Sequence, residues 1–350
     1  MVHQTRNIII VFILILFLLG YTWDYINLHL KCSIYPRTTI NVTIPTPPVI
    51  PPPKETLILV WNWPWGARFP LDKCETDFGI LGCELSTDRR LYSAADGVII
   101  HHADIMHKKG LLPQQPRNPH QRWVWLNMEP PLIISHLDML DNMFNMTMTF
   151  RHDSDIFTPY GYIELLEEPQ HFTIPKKSKL VSWVVSKWYP GIRRITYYEE
   201  LKKYISVDIY GAQHRKLDKE QFTSTISEYK FYLSFENSIY QDYITEKLWV
   251  NALDSWTVPV VLGTSRENYE RFIPGDAFIH VDDFPTAKEL AAYLHELDKD
   301  DEKYGKYFNW RSRYKVSSWK GWSYSFCKAC EAIQQSSRYQ VIRSVAKWFL

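Results

Sequence analysis

With 350 residues the chain is long enough for one large or two ordinary domains, each with its own core. Its 40 Lys and Arg balance 39 Asp and Glu, and a net charge of +1 supplies no basic field for nucleic acid. The 14 Trp and 22 Tyr suit cores as well as stacking on carbohydrate or bases, and composition alone does not separate these uses.

Met1 to Asn7 carries Arg6 and no acidic residue, and the apolar run Ile8 to Leu19 follows, extended less cleanly to Ile26. That run reaches a full membrane span only if Gly20 to Tyr25 lies in the interfacial belt, which Tyr21, Trp23 and Tyr25 suit. No small-x-small cleavage site follows. Residues 8–26 therefore read as an uncleaved signal anchor, with 1–7 cytosolic and the rest lumenal. Residues 27–55 end in the proline run Pro45 to Pro53, a semi-rigid polyproline II stem that also holds Cys32. The sequons Asn41-Val42-Thr43 and Asn145-Met146-Thr147 agree with a lumenal location. Cys74 and Cys83 face Cys327 and Cys330 from the other end of the globular part. In an oxidising compartment these four read as two disulfides with three possible connectivities; zinc is the rival for the CxxC pair, without a histidine cluster to support it.

Leu57–Trp61, Gly97–His101, Arg122–Asn127 and Met146–Phe150 are short apolar runs predicted as buried strands. Ile133, Leu137, Leu140 and Phe144 have the spacing of a helix between the last two. The polar stretch Pro159 to Pro175 is predicted as a loop joining residues 56–170 to 171–350. Beyond it, Leu180–Val185, Val207–Gly211, Phe231–Phe235, Val258–Leu262 and Ala277–Val281 are predicted strands. Helices are predicted through Ile195, Tyr198 and Leu201, through Ile244, Leu248 and Ala252, and through Leu290, Leu294 and Leu297. The alternation is that of two α/β, Rossmann-like domains facing a cleft.

The unit from Phe231 to Leu262 places Glu236, Asn237 and Ser238 at the same carboxyl-end mouth as Thr245, Glu246 and Lys247. Lys247 at a helix start suits a phosphate, and Glu236 and Glu246 suit ribose hydroxyls. Solvated charges on an exposed turn are an equally good reading of Glu246 and Lys247. Arg194 is the second candidate cation, with Arg193 its competitor. Glu129, after an aromatic strand and before Pro130-Pro131, is the candidate general base, against the alternative of a loop charge. Asp153-Ser154-Asp155 has the DxD pattern of a metal site but sits in a polar loop and is read as structural. His101-His102 has no third ligand at metal spacing and is read as cleft lining.

FYLSFENSIYQDYITEKLW (231–249) and VPVVLGTSRENYERFIP (258–274) resemble the Golgi α-1,3-fucosyltransferases of glycosyltransferase family 10, especially the Lewis-type branch. The likeness runs from about Thr56 to the end. It implies the GT-B architecture, GDP-fucose as donor held by Arg194, Glu236, Asn237, Ser238, Tyr243, Glu246 and Lys247, and Glu129 as base. It also implies inverting transfer of L-fucose to the 3-hydroxyl of GlcNAc in N-acetyllactosamine-type glycans of glycoproteins and glycolipids. The implied disulfides are Cys74 with Cys327 and Cys83 with Cys330, tying the tail back to the first domain. The implied setting is a Golgi cisterna, single-pass and type II, in a layout that allows a homodimer joined through the stem. No metal is expected to be required, a divalent cation being at most stimulatory. His101, His102 and Ala103 stand in the acceptor-selectivity region. At position 103 relatives able to make α-1,4 links carry Trp and those restricted to α-1,3 carry Arg. The rival readings are the same fold with another sugar nucleotide, or a stalked glycan-binding ectodomain without chemistry.

Overall fold

A computed structural model describes residues 55–107 and 111–350. The predicted tail and signal anchor, nearly all of the stem, Cys32 and the Asn41 sequon lie outside them. Among the described residues no helix is long and apolar enough to cross a membrane.

Strands β1 (Thr56–Val60), β2 (Cys83–Ser86), β3 (Gly97–His101), β4 (Arg122–Asn127), β5 (Met146–Thr149) and β6 (Ile156–Phe157) form a parallel six-stranded sheet in the order β2-β1-β3-β4-β5-β6. After β7 (Gly161–Leu165) come β8 (Lys179–Val184), β9 (Asp208–Tyr210), β10 (Tyr229–Phe235), β11 (Val258–Leu262) and β12 (Ile279–His280). These last five make a parallel sheet in the order β12-β11-β10-β8-β9. β13 (Tyr314–Ser318) pairs antiparallel with β7. Taken in chain order, the first sheet runs 2-1-3-4-5-6 and the second 2-1-3-4-5, the doubly wound pattern whose switch point lies between the first and third strands and marks the ligand crevice. Those points fall between β1 and β3, and between β8 and β10.

Every residue of β3 and β11 is buried, as a sheet covered on both faces requires. Pro259 is tolerated in β11 because β12 pairs with that strand only at Val260 and Val261. Ile58, Ile99, Val124 and Trp125 centre the first core, and Phe326, Ile333, Val345 and Phe349 from the chain's end belong to the same core. Disulfides Cys74–Cys327 and Cys83–Cys330, which close sequence separations of 253 and 247, fasten the helix Gly321–Gln335 to this half.

Three expectations are corrected. The helix through Ile133 and Phe144 is only a single 3-10 turn, Leu137–Leu140. His136 (φ 58°) and Asn142 (φ 60°) are left-handed on either side of it, and Pro131 cannot continue a helix behind Pro130. The loop from Pro159 to Pro175 contains β7, whose partner β13 lies about 150 residues on, too distant for local patterning to reveal. The helix after Tyr243 is a wide π-type turn, Lys247–Leu253, of seven residues.

Candidate active site

The mouth of the second sheet is built around Glu236, which ends β10 and is 2% exposed. Its Oε1 accepts from the Thr245 backbone N–H at 2.8 Å and its Oε2 lies 3.1 Å from the Lys247 ammonium. The Thr245 hydroxyl donates to the same carboxylate at 2.9 Å. Gly263 makes room for it, since a Cβ there would meet Glu236 Cγ at 3.3 Å and the Tyr269 hydroxyl at 2.5 Å. Glu236, expected at the ribose, is here the buried counter-ion of Lys247. Burial raises its pKa, with Lys247 opposing the rise.

Lys247 Nζ also reaches Thr245 Oγ1 at 2.7 Å and Glu246 Oε1 at 3.1 Å. Burial works against its charge, and the two carboxylates outweigh that and raise its pKa. Glu246 is half-exposed. Burial works against its ionisation too, and Lys247 outweighs this to hold its carboxyl below the ordinary range. The two carboxylates thus favour the charged ammonium and hold it in place, a fixed cation for an anionic group. With the Thr245 N–H taken by Glu236, the short π-turn offers less free helix N-terminus than its sequence suggests.

The two adjacent arginines separate cleanly. Arg193 is half-exposed and paired with Asp282 at 2.5 Å. Arg194, on the inner face of the helix Arg193–Leu201, is 5% exposed and donates from Nη2 to the Lys187 carbonyl at 2.5 Å. Its buried Nε has no partner, and among the described residues no carboxylate lies within ion-pair distance. Burial pulls its pKa down, with Glu236 and Glu246 opposing. A buried guanidinium without a counter-ion is costly unless an anion completes it. Asn237 Oδ1 is likewise buried and unpartnered, with half-buried Ser238 beside it.

Glu129 stands two residues beyond β4 and is half-buried. Burial raises its pKa, and the charges of Lys187, Lys247 and His101 pull it back while Glu246 reinforces the rise. Its electrostatic surroundings thus include residues from the mouths of both sheets. Its raised pKa makes this carboxylate a stronger base than a solvated glutamate. Tyr243, expected at the donor, is a buried ring meeting Phe150 at 5.1 Å and Tyr160 at 6.1 Å.

At the end of β3 the His101 ring is fully buried, with Nδ1 2.6 Å from Asp104 Oδ2 and Nε2 unpartnered. His102 Nε2 bonds the Ser135 carbonyl at 3.0 Å, and burial pushes its pKa down to about 4. Ala103 lies half-buried in the turn His102–Asp104. Lys187 and Asp104 were missed in the sequence. Lys187 was findable as the charge in the loop after β8 at the switch point, and Asp104 as the acid three residues after His101.

Asp153 is occupied by Arg151 at 2.6 Å. Asp155 accepts the Thr147 N–H at 2.7 Å and its hydroxyl at 2.9 Å. Among the described residues no group of three His, Cys, Asp or Glu is placed to hold a metal. The sequon at Asn145, expected to carry a glycan, lies at the start of β5. Its side chain is buried, accepting from Arg117 and from the Trp123 N–H at 2.8 Å and donating to the Gln340 carbonyl at 2.6 Å. A glycan on that nitrogen requires the Gln340 segment to move aside.

Residues 53–161 match the fucosyltransferase N-terminal region, and residues 174–348 match the C-terminal region of glycosyltransferase family 10 (fucosyltransferase). The chain belongs to glycosyltransferase family 10, the fucosyltransferases. It is 51% identical over 312 residues to the 3-galactosyl-N-acetylglucosaminide 4-alpha-L-fucosyltransferase FUT3 of Pan troglodytes, covering 88% of this chain and 82% of that one. It is 51% identical over 298 residues to the 4-galactosyl-N-acetylglucosaminide 3-alpha-L-fucosyltransferase FUT5 of Homo sapiens, covering 84% and 79%. A solved alpha1,3-fucosyltransferase with GDP-fucose superposes with TM-score 0.51 at 18% identity over 83% of this chain and 93% of the other, a likeness of fold.

Proposed function

We propose that this fucosyltransferase moves L-fucose from GDP-fucose to the 3-hydroxyl of GlcNAc in N-acetyllactosamine-type glycans, with inversion at the sugar. The observation that carries the reading is the buried guanidinium of Arg194, without a counter-ion among the described residues, which feels the charges of Glu236 and Glu246, the two carboxylates that hold the Lys247 ammonium; such cations suit a diphosphate leaving group. Glu129 removes the acceptor proton as the hydroxyl attacks, and the carbon–oxygen bond to GDP breaks in the same displacement. The names of the relatives support the reaction class, and their two linkages leave the acceptor to experiment. Incubating the chain with labelled sugar nucleotides and a lactosamine acceptor tests the reading. Transfer from GDP-fucose alone is expected; transfer from another donor, or binding without transfer, overturns it in favour of one of its two rivals.

The same reading makes the diphosphate's cations side chains, so EDTA is expected to leave most activity intact. Complete loss, restored by manganese, would reassign Asp153 and Asp155. We place the enzyme in the Golgi membrane as a single-pass type II protein through residues 8–26.

Ala103 supplies neither ring nor cation beside His101. Type 2 chains (Galβ1,4GlcNAc) are therefore the expected acceptor, and Ala103→Trp is expected to raise relative transfer to type 1 chains by adding apolar contact. A wild type already favouring type 1, or an unchanged ratio in the variant, rejects this.

A further inference from the structure

We infer that Tyr160 is a positioning residue for Glu129, its hydroxyl fixing the peptide that carries the carboxylate while its ring leans on the donor-side segment at Tyr243. This rests on the reading of Glu129 as the base. Tyr160 Oη donates to the Met128 carbonyl at 2.5 Å. The N–H of that same peptide unit, on Glu129, donates to Asn127 Oδ1 at 3.3 Å, and Asn127 Nδ2 donates to the Glu129 carbonyl at 2.7 Å. The peptide plane before Glu129 is thus held at both its polar groups, and the following one at its oxygen. Pro130 fixes the backbone beyond.

Tyr160 is itself anchored. Its carbonyl accepts from the Trp319 N–H at 3.2 Å, and a Cβ on neighbouring Gly161 would lie 2.3 Å from the Trp249 indole, so the segment packs directly on the π-turn that begins at Lys247. The ring meets Tyr243 at 6.1 Å and 88°. Burial raises the hydroxyl's pKa well above the ordinary range, so it remains a donor. Tyr160 thereby links the base-bearing turn to the segment that holds Glu236 and Lys247, which lets the donor side set the aim of the carboxylate.

Tyr160→Phe removes the hydroxyl and keeps the ring. Misaiming a base is expected to lower kcat about ten- to a hundredfold, with KM for GDP-fucose and GDP affinity unchanged. The titratable groups around Glu129 include Lys187, Lys247, His101, Glu246, Tyr160 and Tyr243, and burial is what raises its pKa. A loosened turn admits water, so the acidic limb of kcat/KM is expected to move to lower pH. In a Glu129→Gln background the Tyr160→Phe change is expected to add nothing, because its effect runs through that carboxylate. An unchanged kcat and pH limb, or a full effect persisting in the Gln background, overturns the proposal. If Glu129→Gln stays active, the base reading itself falls; if Glu129→Gln is inactive and Tyr160→Phe is normal, only the positioning role falls.

Discussion

Glu129→Gln is expected to lower kcat by about 10²–10⁴ while leaving the affinity for GDP-fucose near that of the wild type. The swap keeps the shape of the side chain and removes the basic oxygen. Because burial holds this carboxyl above its ordinary pKa, the wild-type rate should fall on the acidic side as pH drops through that raised value, earlier than for a solvated glutamate. The same shift has a consequence for stability. The folded state binds the Glu129 proton more tightly than the unfolded chain, so above the folded pKa the ionised group opposes folding, and this opposition disappears as pH falls. The Gln variant should therefore be at least as stable as wild type at neutral pH, and thermal unfolding separates lost chemistry from lost fold. A variant that keeps most of its turnover would send the search to another base.

Arg194→Ala and Lys247→Ala should both lose the donor, in distinguishable ways. Among the described residues Arg194 has no carboxylate partner to strand, so its removal is expected to weaken GDP binding about ten- to a hundredfold with little change in melting temperature. Lys247 neutralises Glu236, whose carboxylate is buried, and breaking such a pair costs about 3–5 kcal/mol on top of the lost phosphate contact. In that variant Glu236 is raised further above its unfolded pKa. The native state then gains protons as pH falls, and part of the stability deficit is recovered on the acidic side. GDP titration and pH-dependent melting curves check both, and normal GDP affinity in both variants would remove these residues from the donor site.

Much of this arrangement was legible in the chain itself. The buried strands announce themselves as apolar runs because a parallel sheet covered on both faces admits little else, and β3 and β4 begin and end where their patterning places them. Family membership follows from the long motif around Glu236 and Lys247. Glu129, Arg194 and Lys247 stand out in the sequence because strand ends and helix starts are where ligands meet a parallel sheet. The roles inside the mouth were not legible. Glu236 and Glu246 look alike in sequence, yet one is a buried counter-ion and the other a half-exposed partner. Arg193 and Arg194 are adjacent, and the helix's 100° rotation per residue sends one to Asp282 and the other into the interior. Tyr160 and β7 lay in a stretch with no local pattern because their partners, Met128 and β13, are distant in sequence. The chain by itself determined which elements form and which family they make, since periodicity and apolar runs act over a few residues. Which charges are paired, buried or left open was decided only by tertiary contact, because a charge's pKa and availability depend on neighbours that the fold alone brings within a few ångströms.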